Sequence, residues 1–307
     1  MLHNLRDTLF ISQVDQNEVV VSWKTFAQEN GILSVFEESL NRLKLWDLGN
    51  EDFVNVGSGS SFSDNNEYLS IVRLASSDDK VFKKFRANRQ YRKILEHVTK
   101  SLGYLYLESV GHKIGLRASF SKLNRCDRLG GPIRYWFKNI GLYSPTTIRY
   151  FYFHSEMERV FGDLSGLRVI EIGGGFGGQA AVSTTLNSGI GWTIFDLPEV
   201  LVLQQKYVSR ANPNANIAFC SGLDIVETHG DLLLSNYALS EISRDLQLEY
   251  INKVILKCKK GYMAWNTISE VQRGGLSLLE ILELIPGSTA HDEMPLSSVG
   301  NKIITWG

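Results

Sequence analysis

Residues 168–179 read Arg-Val-Ile-Glu-Ile-Gly-Gly-Gly-Phe-Gly-Gly-Gln and are the most informative stretch of the chain. An apolar run carries the carboxylate of Glu171, and five of the six residues 173–178 are glycine. A strand that ends in such a turn lets the backbone approach a ligand closely, because glycine has no Cβ. The helix that should follow directs its N-terminal N–H groups at the same space. The stretch therefore predicts a strand, a turn and a helix that form a nucleotide-type site.

The spacing of the turn and the acid before it indicate which nucleotide. Gly173, Gly175 and Gly178 fit the dinucleotide pattern G-x-G-x-x-G. Glu171, however, lies near the end of a strand that should be buried, where an unpaired carboxylate costs several kcal/mol. The amino group and sulfonium of S-adenosylmethionine (SAM) would supply a partner, whereas a pyrophosphate would be repelled. We therefore expect SAM rather than NAD(P), and a turn that binds nothing is the remaining alternative.

A second acid follows the next predicted strand. Residues 192–195 are apolar or β-branched and lead into Asp196-Leu197. An acid at the end of the second strand is placed to accept hydrogen bonds from ribose hydroxyls. NAD sites share this feature, so it supports a nucleoside without choosing the cofactor.

These residues resemble those of a known family. Residues 171–179 followed by Phe195-Asp-Leu-Pro-Glu-Val200 look like class I SAM-dependent methyltransferases. The narrower resemblance is to the sugar O-methyltransferase family found with bacterial polysaccharide-assembly genes. It is carried from about residue 125 to the C-terminus by residues 144–150 (SPTTIRY), 235–242 (SNYALSEI) and 301–307 (NKIITWG). The resemblance implies a Rossmann-like sheet of seven strands, the last antiparallel, and methyl transfer from SAM.

The pattern of the C-terminal half agrees with an α/β fold. Strand and helix signals alternate beyond residue 160, which favours a parallel sheet covered by helices. Strands are predicted near 168–172, 192–196, 216–220, 231–235, 260–265, 288–292 and 301–306, and helices near 176–188, 198–210, 240–257 and 275–285. No helix is predicted between the last two strands, so they should form a hairpin.

The chain divides into three predicted parts. Residues 1–125 should form a mainly helical N-terminal region that caps the site and selects the acceptor. Residues 126–160 should connect the two parts and line the active site, with 125–143 loop-like. Residues 161–307 should form the SAM-binding Rossmann-like domain.

The residues expected to bind SAM lie in the turns that follow successive strands. After the third strand, Leu223 would lie against the adenine ring and Asp224 would bind its exocyclic amine, unless this is an ordinary turn with a helix cap. Asn236, after the fourth strand, would contact the methionine part. The predicted set is Glu171, Gly173, Gly175, Gly177, Gln179, Asp196, Leu197, Gly222, Leu223, Asp224 and Asn236.

A hydroxyl acceptor needs a base, because it is a poor nucleophile while protonated. Three candidates for catalysis are His154, Glu241 and Tyr237. Glu241 is equally suited to complementing a helix dipole, and His154 to a buried packing position. Arg149 could bind an acceptor phosphate or the carboxylate of SAM, or lie on the surface with a packed stem.

Composition limits the remaining partners. The net charge is −1, and three widely spaced cysteines favour reduced thiols in the cytoplasm. Eight basic residues between Lys80 and Lys100 face the single acid Glu96, but no RNA-binding module accompanies them, and we do not expect nucleic acid as the partner. No apolar run is long enough to span a membrane, and the His291-Asp292-Glu293 trio should not chelate a metal, because neighbours on a strand face opposite sides. An oligomer is possible.

The expected function is SAM-dependent O-methylation of a sugar hydroxyl in a surface polysaccharide or its precursor. A small aromatic or polyketide hydroxyl is the second acceptor class, which the aromatic residues 135–152 would suit. A catalytically silent SAM-binding accessory protein of glycan assembly is the third possibility. SAM binding and turnover with sugars and phenols separate the three.

Overall fold

The computed structural model describes residues 66–111, 115–298 and 300–307. The first 65 residues of the predicted N-terminal region lie outside these ranges. The helices are α1 (Asn66–Ser77), α2 (Asp79–Phe82), α3 (Arg89–Ile94), α4 (Lys100–Ser109), α5 (Leu116–Arg128), α6 (Pro145–Phe161), α7 (Gly178–Leu186), α8 (Pro198–Ala211), α9 (Arg244–Lys253), α10 (Ile268–Arg273) and α11 (Leu278–Leu284). The strands are β1 (Tyr135–Phe137), β2 (Gly141–Tyr143), β3 (Arg168–Ile172), β4 (Gly191–Asp196), β5 (Asn216–Ser221), β6 (Gly230–Asn236), β7 (Cys258–Trp265), β8 (Thr289–Asp292) and β9 (Lys302–Trp306).

The seven strands β3 to β9 form one sheet in the order β5-β4-β3-β6-β7-β9-β8. Strands β3 to β7 are parallel, and β9 runs antiparallel to both β7 and β8. This is the predicted Rossmann-like sheet with an antiparallel last strand and a terminal hairpin. The chain moves outward from β3 to β5 on one side and then resumes at β6 on the other. The strand order therefore reverses between β3 and β6.

The two faces of the sheet are covered by different helices. On one face, apolar side chains of β3, β4 and β6 pack against α6 and α7 in a single core, whose central members are Val169, Ile194, Leu234, Phe151, Phe153 and Ala180. On the other face, Ile170, Ile172 and Leu233 pack with Ile251 of α9 and Ile281 of α11. Alternation along β3 therefore places Glu171 on the face of α6 and α7.

Helix α6 has a well-defined start at the edge of the site. Ser144 accepts a hydrogen bond from the backbone N–H of Thr147, and Pro145 occupies the first helical position, where its missing N–H has no cost. Arg86 donates to the Ser144 hydroxyl at 3.2 Å and to the Asp127 carbonyl at 3.0 Å. The first turn of α6 is thereby fixed to the N-terminal helices.

Arg86, one of the eight basic residues between Lys80 and Lys100, is not on the surface. Its side chain is fully buried, its Nε donates to Glu96, and its guanidinium lies 4.5 Å above the ring of Phe176 in the glycine turn. One of the eight basic residues is thus internal, and the single acid of the run is its partner. Arg86 connects the helical region to the nucleotide-type turn.

The N-terminal helices lie against the sheet domain. Helix α1 packs on α8, Arg73 forms a 2.9 Å ion pair with Glu199, and the Lys206 ammonium donates to the Ala75 and Ser76 carbonyls. Asp78 separates α1 from α2 and caps α2 by accepting from the N–H groups of Lys80 and Val81.

Two local predictions need revision. Residues 125–143 are not loop-like: α5 continues to Arg128, because Phe120, Leu123 and Cys126 give it a buried face, and β1 and β2 form a hairpin. The helix predicted for 240–257 is only ten residues long, between two 3-10 turns. The helix predicted for 275–285 is confirmed as α11, and a further short helix, α10, precedes it and ends at Gly274 in the left-handed conformation. Within the described residues, no helix is long and apolar enough to cross a membrane.

Candidate functional site

The glycine turn after β3 needs glycine for its conformation and for its contacts. Gly173, Gly175 and Gly177 have φ values of +75°, +57° and +85°, which residues with a Cβ rarely adopt. A Cβ at Gly173 would lie 2.1 Å from the Cβ of Ala238, so the turn after β3 lies against the turn after β6. Leu95, just after α3, lies over Gly175, at 3.4 Å from where its Cβ would be. The turn is thus enclosed by the β6 loop and the N-terminal helices.

Asp196 stands at the end of β4 beside this turn. Its carboxylate accepts from the N–H of Leu197 at 2.8 Å, from the Gln204 amide at 2.7 Å, and from the backbone of Gly174 and Gly175. Burial nevertheless raises the pKa of Asp196 to about 6. Gln204 also donates to the Gly175 carbonyl at 3.0 Å, so it ties the acid to the turn.

The loop after β5 lies next to the same acid. The N–H of Gly222 donates to the main-chain oxygen of Asp196 at 2.7 Å. The side chains of Leu223 and Asp224, the residues predicted to contact adenine, are exposed at this edge. The structure therefore brings Asp196, Leu197 and residues 222–224 together beside the glycine turn.

Glu171 has a protein partner that the sequence reasoning did not anticipate. The indole Nε1 of Trp192 donates to its carboxylate at 2.9 Å, and the side chain is 2% exposed. Burial raises the pKa of Glu171 to about 8, although the Trp192 hydrogen bond lowers it. The group is therefore largely neutral at pH 7. Trp192 lies on the same face of the adjacent strand, offset by two residues from the β4 partner of Glu171.

Asn236 and Gln179 hold unpartnered polar atoms. Both atoms of the Asn236 amide are buried and without a hydrogen-bond partner, as is the Gln179 Oε1. The Gln179 Nε2 donates to the Tyr150 carbonyl and the Ser183 hydroxyl, both at 3.1 Å, so this side chain faces α6 rather than the turn. Buried polar groups normally have partners. The Asn236 amide, at the end of β6, is therefore free to bind a ligand.

Tyr237 follows Asn236 in a strained conformation. Its φ is +68°, which is uncommon for a residue other than glycine and is often found at functional sites. Its N–H donates to the Ala264 carbonyl at 2.8 Å, and its hydroxyl donates to Glu293. Burial and the Glu293 carboxylate raise the pKa of Tyr237 well above its ordinary value. The hydroxyl is thus a poor base as it stands.

Glu241 lies in the 3-10 turn after β6. Its carboxylate accepts from the Asn266 amide at 2.9 Å, and Ser240 bonds to Asn266 in turn, so the loops after β6 and β7 are connected. Burial raises the pKa of Glu241 to about 7, against the opposing effects of Asn266 and Arg149. A carboxylate with this pKa at the carboxyl edge is suited to proton transfer near neutrality.

His154 is placed away from that edge. It lies between α6 and α7, 2% exposed, with its Nδ1 3.2 Å from the Ser183 hydroxyl and its Nε2 3.4 Å from a carboxylate oxygen of Glu158. These contacts suit a packing position, and a catalytic role for His154 stays a prediction.

The structure thus assembles most predicted residues at one edge and adds others. The glycine turn, Asp196, the 222–224 loop, Asn236, Tyr237 and Glu241 surround the carboxyl ends of β3 to β6. Gln179 and His154 face the helix packing instead. The sequence did not predict the roles of Trp192, Gln204 and Glu293 as hydrogen-bond partners of site residues. Only Trp192 could have been found, because its indole lies on the strand next to the buried acid. In the three described ranges, no three His, Cys, Asp or Glu side chains are grouped to hold a metal.

Comparisons with known proteins give structural likenesses only. No protein-family model matches the chain, and no curated protein is significantly similar to it. The solved structures that it resembles include a protein assigned as an O-methyltransferase from Nostoc punctiforme PCC 73102, with 10% identity, 53% of this chain and 60% of that chain covered, and a TM-score of 0.41. PigF with SAH has 14% identity, coverage of 50% and 60%, and a TM-score of 0.39.

A third structure is the O-methyltransferase NcsB1 from neocarzinostatin biosynthesis, in complex with S-adenosyl-L-homocysteine and 1,4-dihydroxy-2-naphthoic acid. It has 16% identity, coverage of 53% and 58%, and a TM-score of 0.36. The chain thus matches about 60% of the length of these proteins or slightly less. The fold is established by the strand order itself, and these likenesses carry no argument about activity.

Proposed function

We propose that this protein is a SAM-dependent methyltransferase that methylates a hydroxyl group. The observation that carries the proposal is the position of the turn after β3 and the unpartnered Asn236 at the end of β6. In the strand order, these two strands flank the point where the direction of the chain reverses. Open α/β sheets bind their ligands in the crevice at this point.

The residues around the crevice fit SAM. Asp196 stands beside the glycine turn and is placed for ribose hydroxyls, and Leu223 and Asp224 are exposed where adenine would lie. The Asn236 amide offers a donor and an acceptor to the polar methionine part. When bound, SAM supplies a methyl group activated by a positively charged sulfur, and its transfer to a hydroxyl releases S-adenosylhomocysteine and one proton.

Glu241 is our candidate for the group that accepts that proton. Its loop follows β6, directly after Asn236 and Tyr237, and its pKa of about 7 leaves a substantial fraction ionised at neutral pH. The Asn266 amide orients the carboxylate and leaves its second oxygen without a recorded partner in the described part of the chain. Positioning of the acceptor in line with the methyl group supplies the remaining rate acceleration.

The acceptor proposal is a sugar hydroxyl of a surface polysaccharide or its precursor, and it rests on the sequence resemblance. An aromatic or polyketide hydroxyl is the second candidate. It is favoured by the rings near Glu241 and Arg149, since Phe153 and Tyr237 both stack against the Arg149 guanidinium. Sugars also bind on aromatic rings, so the acceptor must be chosen by experiment.

Turnover tests the proposal. The purified chain is incubated with SAM carrying a labelled methyl group and a panel of monosaccharides, nucleotide sugars and phenols, and S-adenosylhomocysteine is measured. We expect one acceptor class to yield both products in equal amounts, and the Glu241→Gln variant to lose turnover but keep SAM binding. SAM binding without turnover on any acceptor would favour the accessory-protein reading.

A further inference from the structure

The Arg149 guanidinium is buried without an anionic partner. The residue is 8% exposed, its Nε is buried and has no hydrogen-bond partner, and in the part of the chain that the structure describes no carboxylate oxygen lies within 4.0 Å of its nitrogens. Its recorded contacts are the rings of Phe153 at 5.3 Å and Tyr237 at 5.0 Å. Arginine stays charged in proteins, and a buried charge without a hydrogen-bonded partner is costly. A ligand anion would supply the missing partner.

The carboxylate whose charge acts on Arg149 has other hydrogen-bond partners. Glu293 is 1% exposed, and its carboxylate accepts from the Tyr237 hydroxyl, from the N–H and hydroxyl of Ser297 and from the Asn301 amide. Three of these bonds fall on Oε2 and one on Oε1, and neither oxygen forms an ion pair with Arg149. The Glu293 charge acts on the arginine without an ion pair, and the guanidinium Nε keeps no hydrogen-bond partner.

A second unpartnered group lies near Arg149. The hydroxyl of Tyr106 on α4 is buried without a partner, and its ring lies 4.8 Å from that of Tyr152, about one turn along α6 from Arg149. Its charge would interact with the arginine. Such a hydroxyl can donate a hydrogen bond to the same anion. A guanidinium and a phenol hydroxyl together make a site for a carboxylate or phosphate.

The position of Arg149 points to the acceptor rather than to SAM. The next residue, Tyr150, lies against the glycine turn, since a Cβ at Gly178 would be 2.3 Å from its ring. Successive helical residues point about 100° apart, and Arg149 faces Tyr237, Glu293 and the charge of Glu241 instead. It therefore lies on the side of β6 and the β8–β9 connection, with the candidate base.

From this arrangement we infer that Arg149 binds a carboxylate or phosphate of the acceptor, so that the acceptor is a hydroxy compound that carries an anionic group. This rests on the proposed function and specifies its substrate class. The anion anchors one end of the acceptor while its hydroxyl reaches Glu241. The class includes sugar acids, sugar phosphates and hydroxy aromatic acids, but not neutral sugars or simple phenols.

The test uses matched pairs of probes on the whole chain. The pairs are glucuronate and glucose, glucose 6-phosphate and glucose, and 3-hydroxybenzoate and phenol. Direct binding is measured by calorimetry, with and without SAM, for wild type, Arg149→Met, Arg149→Lys and Arg159→Met. Arg159 is the matched control, because it lies on the same helix, is exposed and pairs with Glu156.

We expect at least one anionic probe to bind and its neutral partner not to bind. Arg149→Met should weaken that binding by roughly 30- to 4,000-fold, the range for truncating one member of a buried charge pair, with SAM affinity within about threefold of wild type. Arg149→Lys should recover part of the binding, and Arg159→Met should match wild type.

Three results would overturn the inference. The first is an equal loss of SAM affinity in Arg149→Met, which would assign the arginine to the carboxylate of SAM. The second is equal binding of neutral and anionic probes, and the third is that no anionic probe depends on Arg149 for its binding. Because anion binding is measured without SAM, a failure of methyl transfer leaves this test intact. Circular dichroism of both Arg149 variants separates misfolding from lost binding, and wild-type discrimination between the paired probes needs no variant.

Discussion

Replacing Glu171 by glutamine should change how the stability of the protein depends on pH. Glu171 is buried in the fold with a pKa of about 8, against its ordinary value of 4.5. Each pKa unit is worth about 1.36 kcal/mol, so ionising this group in the folded state costs about 5 kcal/mol more than in the unfolded chain. A raised carboxyl pKa means that the folded state binds the proton more tightly.

The sign of the effect follows from that difference. Below about pH 4.5 Glu171 is protonated in both states and adds no pH dependence. Between about pH 4.5 and pH 8 the unfolded chain releases the proton and the folded protein keeps it, so the free energy of unfolding falls as pH rises. Above about pH 8 the full penalty applies.

The Glu171→Gln variant removes this titration. Its amide oxygen can still accept from Trp192, while the cost of burying the added NH₂ group is the same at every pH. The unfolding free energy of the variant relative to wild type should therefore rise by about 1.4 kcal/mol per pH unit across the window. The prediction concerns how the difference in unfolding free energy changes with pH, not its value at any one pH.

Urea unfolding of both proteins from about pH 5 to about pH 8 measures the slope, with Glu283→Gln as an exposed control on α11. Trp192→Phe should raise the pKa of Glu171 further, since the indole is the donor that lowers it. A difference between Glu171→Gln and wild type that does not vary with pH would refute the reasoning, because it would mean that Glu171 is ionised in the folded protein.

Three further predictions follow from the site. Gly173→Ala should destabilise the fold by about 1–2 kcal/mol for the left-handed backbone and by about 1–3 kcal/mol more for overpacking. Gly166→Ala, with a similar φ and nothing within 4 Å, should show only the first part in chemical unfolding, and equal losses would remove the packing argument. Wild-type kcat should rise with pH through about 7 as Glu241 ionises, and Glu241→Gln should lower kcat by about 10²- to 10⁴-fold; a flat profile or an active variant would exclude Glu241 as the base. His154→Gln should lower kcat by less than about tenfold, since no described contact links its ring to the carboxyl edge, and a loss as large as that of Glu241→Gln would restore a catalytic role.

The sheet could be predicted from the sequence because its signals are local. Apolar runs bounded by turns mark the parallel strands, and the absence of a helical segment between residues 292 and 301 predicts the terminal hairpin. The β1–β2 hairpin is harder to predict, because its strands have only three residues each. The turn after β3 could be predicted for another reason, because its positive φ values require glycine whatever packs around it.

The site could be predicted only in part, because the pKa of a side chain depends on its surroundings. The sequence placed Glu171 and Asp196 near the ends of buried strands and Glu241 after one, but it did not place the Trp192 and Gln204 donors that hold the first two. It suggested either binding or a surface position for Arg149, and only the packing of α6 against the sheet shows the side chain to be buried and unpaired. Glu293 reaches Tyr237 because of the path of the β8–β9 connection, and no sequence pattern predicts that path.

The central claim is that the crevice between β3 and β6 binds SAM. Calorimetric titration of the purified chain with SAM, S-adenosylhomocysteine and NAD⁺ tests it most directly. We expect SAM and S-adenosylhomocysteine to bind at the same single site per chain, with weaker binding in Asn236→Ala, and NAD⁺ not to bind. Binding of NAD⁺ in place of SAM, or no binding of any of the three, would contradict it.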